Sequence, residues 1–382
     1  MARIIYALSG QGRGHTSRSL ATSAALRKSG HEVRFCCGGT AREILESQGE
    51  SVLPVPLLRQ VVHENAIVPT QTIAANWSPI WNRSQIIRRL ADMFDDYRPD
   101  LLITDFEGFS WRAAKRLGIP ILSFNHQQVV TETEYSLPLR HRYHARIAKI
   151  IINAITPRNP EWLLLTSFFF PTLKRPGRTT LVPPIIRPAV QELKPRKGDH
   201  ILVYFNDPEG SSGFLDLLAQ AGVPFIVYNF PSPKDPNLYP NIDFKPPSID
   251  GFLADLSQCR AIICTAGFTL ISEALFLDKP LLVVPNKGVF EQTLNALFLE
   301  REGLGRAVID RKLTAEDLRR FLREVDRIVE RMQNRPACGN KEAVAYIEGV
   351  LSRIGPSIVP LPRSFPADVE LPALSDALAG PE

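Results

Sequence analysis

The feature that most constrains the fold of this chain is a twice-repeated alternation of short apolar runs with helical patterns. The first series predicts strands and helices in turn at 4–8, 17–29, 33–37, 42–47, 52–55, 85–97, 101–104, 109–117 and 119–124. The second series predicts them at 201–205, 214–221, 225–228, 249–257, 261–264, 269–277, 281–284 and 290–301. Strands that alternate with helices indicate a parallel sheet covered on both faces. The sequence therefore predicts an α/β protein built from two doubly wound halves.

Chain length and proline content set the predicted domain boundaries. A chain of 382 residues is long enough for two domains of ordinary size. The proline- and charge-rich stretch 186–198 is interpreted as a linker between a domain at 1–185 and a domain at 199–335. The helix in 336–355 is expected to return to the first domain, and the proline-rich segment 356–382 is expected to be extended or disordered.

Composition excludes several classes of protein. Apolar residues make up 44% of the chain and charged residues 22%, which argues against a largely disordered protein. The net charge of +5 is smaller than the strong positive charge typical of nucleic-acid-binding proteins, although it suits an acidic ligand or an anionic membrane surface. We expect no signal peptide and no membrane-spanning segment. Five cysteines without a CxxC pair favour an intracellular protein without a disulfide framework or a zinc site.

Glycines follow the first predicted strand, at the edge where open α/β sheets bind ligands. Gly10, Gly12 and Gly14 permit positive φ and close approach of a ligand, and the start of the next helix favours anions. Two observations oppose a dinucleotide site: the spacing is GxGxG rather than GxGxxG, and Cys36-Cys37 stands where the second strand would need an acid. A tight turn without a ligand is the alternative.

Two polar residues are predicted at the carboxyl edge of the first sheet. His15 follows the glycines, and an imidazole titrates close enough to neutral pH to act as a general base. Asp105 ends the strand beginning at Leu101, and its carboxylate could orient the imidazole. Alternatively, His15 braces the loop and Asp105 caps the following helix. The sequence Asp105-Phe106-Glu107 has the spacing of a DxD metal motif, but one such pair is weak evidence, and no metal is predicted.

The second half carries the stronger signal, a strand, a turn and a helix between residues 264 and 274. The turn Gly267-Phe268-Thr269 leaves free amides at the helix start, and such amides suit a diphosphate. Glu273 lies within the first two turns of this helix, where a carboxylate can accept hydrogen bonds from a ribose diol. These residues together predict a nucleotide site.

The stretch 262–305 resembles the donor half of GT-B glycosyltransferases, namely family 28, the MurG-like enzymes, and the UDP-glycosyltransferases. More narrowly, TAGFTLISEALFLDKPLLVVPNKGVFEQTLNA and the opening GQGRGHTSRSLA resemble a prokaryotic branch described only as glycosyltransferases. The resemblance covers roughly residues 1–355. It implies a GT-B fold, in which two Rossmann-like doubly wound domains face each other across a cleft. It also implies that the first domain binds the acceptor and the second binds the nucleotide sugar.

The resemblance also implies roles for residues at matching positions. Glu273 matches the glutamate that holds the ribose of a uridine nucleotide, and His15 and Asp105 match the catalytic base and its orienting acid. The remaining matches are the diphosphate turn at Gly267, Phe268 and Thr269, the donor-sugar contacts Glu291 and Gln292, the uracil-reading position Ile249, and the glycine loop with Gly210 and Gly213. Glu291 could instead be a favourable acid in the first turn of a helix. The chain lacks the long plant-type signature, and Arg13 interrupts the glycines of the MurG-like loop.

Taken with the resemblance, these residues imply an inverting, metal-independent glycosyltransferase with no cofactor beyond its nucleotide sugar, which is expected to be UDP-linked. A nucleotide-sugar 2-epimerase or hydrolase, a non-catalytic nucleotide-sugar-binding protein and a dinucleotide oxidoreductase are the alternatives. The acceptor (lipid, glycan or small molecule), the donor sugar and the oligomeric state stay open. We expect a cytoplasmic protein of cell-envelope or glycolipid synthesis with no nucleic-acid partner. The basic segment 140–149 predicts peripheral contact with the inner membrane face or, alternatively, a solvated helix face.

Overall fold

The chain was analysed as a computed structural model that describes residues 1–63, 66–205, 213–233, 235–332 and 338–355. In chain order its first half contains β1 (Arg3–Leu8), α1 (Arg13–Lys28), β2 (Glu32–Cys37), α2 (Gly39–Ser47), β3 (Val52–Pro54), β4 (Val62–His63), β5 (Ala66–Ile67), α3 (Pro69–Trp81), α4 (Arg83–Tyr97), β6 (Leu101–Asp105), α5 (Ser110–Leu117), β7 (Ile121–Asn125), α6 (Val129–Glu132), α7 (Arg142–Ile155), β8 (Trp162–Thr166) and β9 (Thr179–Val182). Seven of these strands form one parallel sheet in the order β3-β2-β1-β6-β7-β8-β9. The short strands β4 and β5 pair separately and antiparallel.

The second half repeats this architecture with a smaller sheet. After α8 (Pro188–Gln191) it contains β10 (Ile201–Tyr204), α9 (Phe214–Ala219), β11 (Phe225–Tyr228), β12 (Ile242–Lys245), α10 (Ile249–Gln258), β13 (Ala261–Cys264), α11 (Phe268–Phe276), β14 (Leu281–Val283), α12 (Phe290–Arg301), β15 (Gly305–Ala307), α13 (Ala315–Met332) and α14 (Asn340–Ile354). Its six strands are parallel and lie in the order β12-β11-β10-β13-β14-β15. Single-turn 3₁₀ helices at Leu139–His141 and Pro236–Leu238 complete the described elements.

Each sheet reverses its winding direction beside its first strand. In the first sheet β1 lies between β2 and β6, and Leu8 is paired with Asp105 where both strands end. In the second sheet β10 lies between β11 and β13, and Tyr204 is paired with Cys264. Open α/β sheets bind ligands at such reversal points, outside the carboxyl ends of the strands. The residues predicted to act in the first half and the diphosphate turn of the second half both follow these strand ends.

Apolar packing joins the two halves as well as building each of them. One cluster of buried side chains contains Phe168 and Phe169, which follow β8, together with Phe268 and Phe298 of the second half. Helix α14 packs against α1, and its Ile347 belongs to the core of the first sheet. The expectation that the last helix returns to the first half is therefore confirmed.

The structure departs from the predicted elements at several places. Helix α1 begins at Arg13 rather than at residue 17, so that Gly14 and His15 lie in its first turn rather than in a loop. The prediction also missed the edge strands β9, β12 and β15, which have only three or four residues each, and the helix α3. No helix in the described part of the chain is long and apolar enough to cross a membrane. The predicted tail, 356–382, lies outside the described residues.

Candidate active site

The glycines after β1 let three chain segments meet at the edge of the first sheet. A Cβ atom on Gly10 would lie 2.2 Å from the carbonyl oxygen of Gly38, in the segment after β2. Gly12 precedes α1 with a φ of 83°, a conformation that favours glycine. A Cβ atom on Gly14 would lie 2.4 Å from Oγ1 of Thr269, which belongs to the second half. The first turn of α1 therefore lies directly against the predicted diphosphate turn.

His15 and Asp105 are in contact. The Nδ1 atom of His15 lies 2.9 Å from Oδ1 of Asp105, and the carboxylate is completely buried. Burial alone would raise the pKa of Asp105, but Arg18 and His15 outweigh burial and hold this pKa below its usual value. An ionised Asp105 accepts a hydrogen bond from the N–H group at Nδ1, which leaves Nε2 of His15 as the basic nitrogen. The pair thus has the arrangement of a general base with its orienting acid.

Arg18, one turn after His15 on α1, was not singled out from the sequence. Its side chain is buried, with Nε 3.0 Å from Oδ2 of Asp105 and Nη2 2.7 Å from each carboxylate oxygen. The same Nη2 lies 3.2 Å from Nδ1 of His15. Its partner, Asp105, lies 87 residues further along the chain, and only the pairing of β1 with β6 brings the two together.

Two further residues contact the imidazole of His15. The amide nitrogen Nε2 of Gln127 lies 3.4 Å from Nε2 of His15, and its Oε1 is buried without a hydrogen-bond partner among the described residues. The ring of Phe106 is parallel to the imidazole, with the ring centroids 6.3 Å apart. Glu107 instead accepts hydrogen bonds from the amides of Phe109 and Ser110 at the start of α5. Of the two acids in the DxD-like sequence, Asp105 therefore contacts the proposed base, and Glu107 caps the start of α5.

Helix α11 begins without a side-chain cap. Its N-cap residue, Gly267, has no side chain that could accept a hydrogen bond from the first-turn amides, and no side-chain cap is found among the described residues. Phe268 stacks on the imidazole of His126 at 3.8 Å between ring centroids. His126 follows β7; one of its ring nitrogens is hydrogen-bonded to the carbonyl of Thr166, and the other lies 2.8 Å from Oδ1 of Asn295. Sequence analysis missed His126, which anchors the start of α11 to the first half.

Glu273 lies on α11 with a partner that was not expected from the sequence. The residue is 2% exposed, and its Oε1 and Oε2 lie 2.7 Å and 2.8 Å from Nε and Nη2 of Arg187. Burial raises the pKa of the Glu273 carboxyl, although Arg187 opposes this effect. Arg187 lies just before α8, between the two sheets. A ribose at Glu273 would therefore share the carboxylate with Arg187 or displace it.

The other predicted donor residues lie on separate elements of the second half. Glu291 and Gln292 are in the first turn of α12, where Oε1 of Gln292 accepts a hydrogen bond of 2.8 Å from the amide of Asn286. Ile249 begins α10 and is 54% exposed. Gly213 precedes α9 with a φ of 88°, and Gly210 lies outside the described residues. No group of three or more potential metal-ligating side chains occurs within the described ranges.

A family model for glycosyl transferase family 1 matches residues 2–326. The chain belongs to this family. Two uncharacterised glycosyltransferases are similar to it, one from Methanosarcina acetivorans and one from Methanosarcina mazei. They are 23% identical over 329 residues and 25% identical over 333 residues, and each alignment covers 80% of this chain and 85% of the relative. This family 1 member is therefore a glycosyltransferase, as predicted.

Solved structures show the fold of this family 1 glycosyltransferase. The glycotransferase of kitacinnamycin has a TM-score of 0.67 and 18% identity, and the match covers 93% of this chain and 99% of that chain. MurG of Acinetobacter baumannii has a TM-score of 0.62 and 16% identity, with coverage of 91% and 100%. CalG4, the calicheamicin glycosyltransferase, has a TM-score of 0.65 and 17% identity, with coverage of 93% and 100%. The predicted GT-B fold with two Rossmann-like domains is confirmed.

Proposed function

We propose that this glycosyltransferase moves a sugar from a uridine diphosphate sugar to an acceptor hydroxyl by direct displacement, with inversion and without a metal. One observation carries the proposal: the first turn of α1, with the His15–Asp105 pair, lies against the uncapped start of α11. Thr269 and Gly14 are in contact at this point. A helix start favours anions, and a diphosphate bound there would lie beside the base.

The proposed step is a single displacement. The acceptor oxygen forms a bond to the anomeric carbon while the bond from that carbon to the diphosphate oxygen breaks. The hydroxyl proton passes to Nε2 of His15, because Nδ1 is committed to Asp105. The electron pair of the broken bond goes to the diphosphate, whose charge is stabilised by the amides at the start of α11. Attack opposite the leaving group inverts the anomeric centre.

The nucleotide is tested by thermal shift with UDP, GDP, dTDP, ADP and NAD. A ligand at about 100 times its Kd adds about 2.7 kcal/mol to the free energy of unfolding. UDP is expected to raise the Tm of the wild type and of Glu43→Gln, an exposed control, but to have little effect on Glu273→Gln. A shift with dTDP or GDP alone would change the proposed donor. No shift with any diphosphate, or a shift with NAD, would contradict the donor site.

The reaction is tested by product analysis with and without acceptors. Transfer requires an acceptor, whereas a 2-epimerase or a hydrolase releases an epimer or a free sugar without one. Family membership favours the transferase over these alternatives and over a non-catalytic binding protein. His15→Ala is expected to abolish turnover and to keep the UDP-induced shift, while His63→Ala, an exposed control, keeps both. Full turnover of His15→Ala would remove His15 as the base, and loss of turnover in EDTA would contradict metal independence.

Peripheral contact with a membrane is proposed for helix α7, which has an apolar outer face. Tyr143 and Ile150 are 68% and 70% exposed, and Ile147 lies between them on the same face of the helix. Arg142 and Lys149 flank this face, and α7 contains no acidic residue. Interfacial helices combine an apolar face with flanking cations that attract anionic lipids. This contact would place the enzyme at the inner, cytoplasmic face of a membrane, and its five free cysteines suit that compartment.

Co-sedimentation with lipid vesicles tests this contact. Binding is expected with vesicles of phosphatidylcholine and phosphatidylglycerol and is expected to be much weaker with phosphatidylcholine alone. A triple glutamine variant of Arg142, Arg146 and Lys149 should lose it. The matched control is the triple glutamine variant of Arg319, Arg320 and Arg323, which are exposed on α13 but paired with glutamates. Equal binding by both variants, or none by the wild type, would indicate a solvated helix face.

A further inference from the structure

Arg18 has a position that the proposed reaction leaves unexplained. It is 4% exposed, and its charge is compensated by a carboxylate that also serves the base. Oδ1 of Asp105 accepts hydrogen bonds from both Nδ1 of His15 and Nη2 of Arg18, at 2.9 Å and 2.7 Å. Because Arg18 binds both carboxylate oxygens, the carboxylate cannot rotate away from the imidazole without breaking these bonds.

The arginine also places a positive charge beside the imidazole. Nη2 of Arg18 and Nδ1 of His15 are 3.2 Å apart, and both are committed as donors to Asp105. The Asp105 charge is therefore shared between two cationic partners whenever the imidazole is protonated. A neighbouring cation disfavours protonation of the imidazole, and a shared carboxylate favours it less than an undivided one.

Within the described part of the chain, few other ionisable groups lie around this cluster. Tyr6 of β1 and His126 after β7 are buried; burial raises the pKa of the Tyr6 hydroxyl and lowers the pKa of His126, so both are neutral near pH 7. Glu291 of α12 interacts with Arg18 electrostatically from across the cleft. Arg18 also lies over the ring of Phe268, with Cζ 6.0 Å from the ring centroid. The guanidinium therefore lies between the base and the start of α11.

We propose that Arg18 is a positioning residue of the glycosyl transfer, which locks the Asp105 carboxylate onto His15 and sets the pH range in which His15 accepts a proton. The proposal rests on the proposed role of His15 as the base. Arg18 does not touch the acceptor hydroxyl; it acts through Asp105. Its loss should lower kcat more than it weakens nucleotide binding, and it should alter the pH dependence of the reaction.

The test compares Arg18→Met and Arg18→Lys with Arg27→Met. Arg27 is a matched control because it lies on the same helix and pairs through two nitrogens with both carboxylate oxygens of Glu50, away from the cleft. Arg18→Met should lower kcat by about 10- to 100-fold, while KM for the donor changes little, because a mispositioned base is costly. Its acid limb in the pH profile of kcat should move upward by about one pH unit, because Asp105 then serves His15 alone. Arg18→Lys should keep the acid limb near its wild-type position, because the charge remains.

A second readout does not depend on turnover. The NMR signal of the His15 ring, assigned by comparison with His15→Ala, should titrate at higher pH in Arg18→Met and be unchanged in Arg27→Met. If Arg18→Met fails to fold, Arg18→Lys should still show a lower kcat, because an ammonium cannot bind both carboxylate oxygens in the same geometry. Wild-type kcat in Arg18→Lys, or unchanged titration and pH profile in a folded Arg18→Met, would overturn the proposal. Full turnover of His15→Ala would instead show that His15 is not the base. The titration would still test whether Arg18 influences the His15 ring.

Discussion

Nη2 of Arg187 donates a hydrogen bond of 2.8 Å to Oε2 of Glu273 and thereby ties the chain between the two sheets to helix α11. The carboxylate that the resemblance assigns to ribose thus already has a cationic partner. A nucleotide that binds at Glu273 must accommodate Arg187, and this requirement links nucleotide binding to the geometry between the domains.

Arg187→Met should lower the free energy of unfolding by about 3 kcal/mol, because it leaves a buried carboxylate without its partner. The stabilisation produced by UDP should be larger in this variant than in the wild type, because the ribose no longer competes with Arg187. Urea unfolding with and without UDP measures both effects. The double variant Arg187→Met/Glu273→Gln should recover part of the stability. A smaller UDP effect in Arg187→Met would show that Arg187 supports the nucleotide rather than competing with it.

Gly14→Ala should lower turnover strongly in a protein that stays folded. Alanine suits a helix, but its Cβ atom would lie 2.4 Å from Oγ1 of Thr269 and push the domains apart at the site. Thr269→Ala removes that oxygen, so the double variant should regain most of the turnover. Gly177→Ala is the control, because nothing lies within 4 Å of a Cβ atom there. Kinetic assays of the four variants suffice, and a double variant as slow as Gly14→Ala would contradict the steric explanation.

The ionised Asp105 should make stability depend on acidic pH. Its pKa in the folded protein is lowered from the ordinary value of about 3.9, so its stabilising contribution is complete above that value. The contribution is lost as pH falls through the lowered folded-state pKa. Urea unfolding between pH 3 and pH 7 should therefore show a loss of stability in the wild type below about pH 4 that is smaller in Asp105→Asn. Parallel curves for the two proteins would contradict an ionised, stabilising Asp105.

His126→Phe should weaken the domain interface without removing its aromatic packing. A phenyl ring can still stack on Phe268, but the carbonyl of Thr166 and Oδ1 of Asn295 lose their contacts with the imidazole. Leaving buried polar groups unpaired costs about 1–3 kcal/mol each. Denaturant unfolding should show a loss in this range, and His126→Phe/Asn295→Leu should show a smaller one. Wild-type stability of His126→Phe would show that stacking alone holds the interface.

Sheet topology could predict that His15 and Asp105 lie at the same sheet edge, but the sequence left open whether the two side chains touch, and the structure shows that they do. Both residues follow or end strands that are neighbours in a doubly wound sheet, and Leu8 does pair with Asp105. Arg18 and Arg187 could not be found in this way. Their partners lie 87 and 86 residues away, and nothing in the local pattern distinguishes a buried arginine from a solvated one.

The secondary structure likewise contains elements that could be predicted from the sequence and elements that depend on tertiary contacts. Long apolar strands such as β1 and β6 were predicted within a residue of their ends, because burial on both faces gives a continuous apolar run. Strand β8 was not predicted, although its sequence, WLLLT, is strongly apolar. A short apolar run has no periodicity of its own, and only the neighbouring strands β7 and β9 determine its conformation.

The return of α14 to the first domain has a mechanical consequence. The chain passes between the domains twice, once after β9 and once between α13 and α14. A single connection would leave the domains free to twist about the linker. Two connections restrict this relative motion and favour rotation about the line through the two crossing points. A cut in the 186–198 segment would therefore leave the two halves joined through α14.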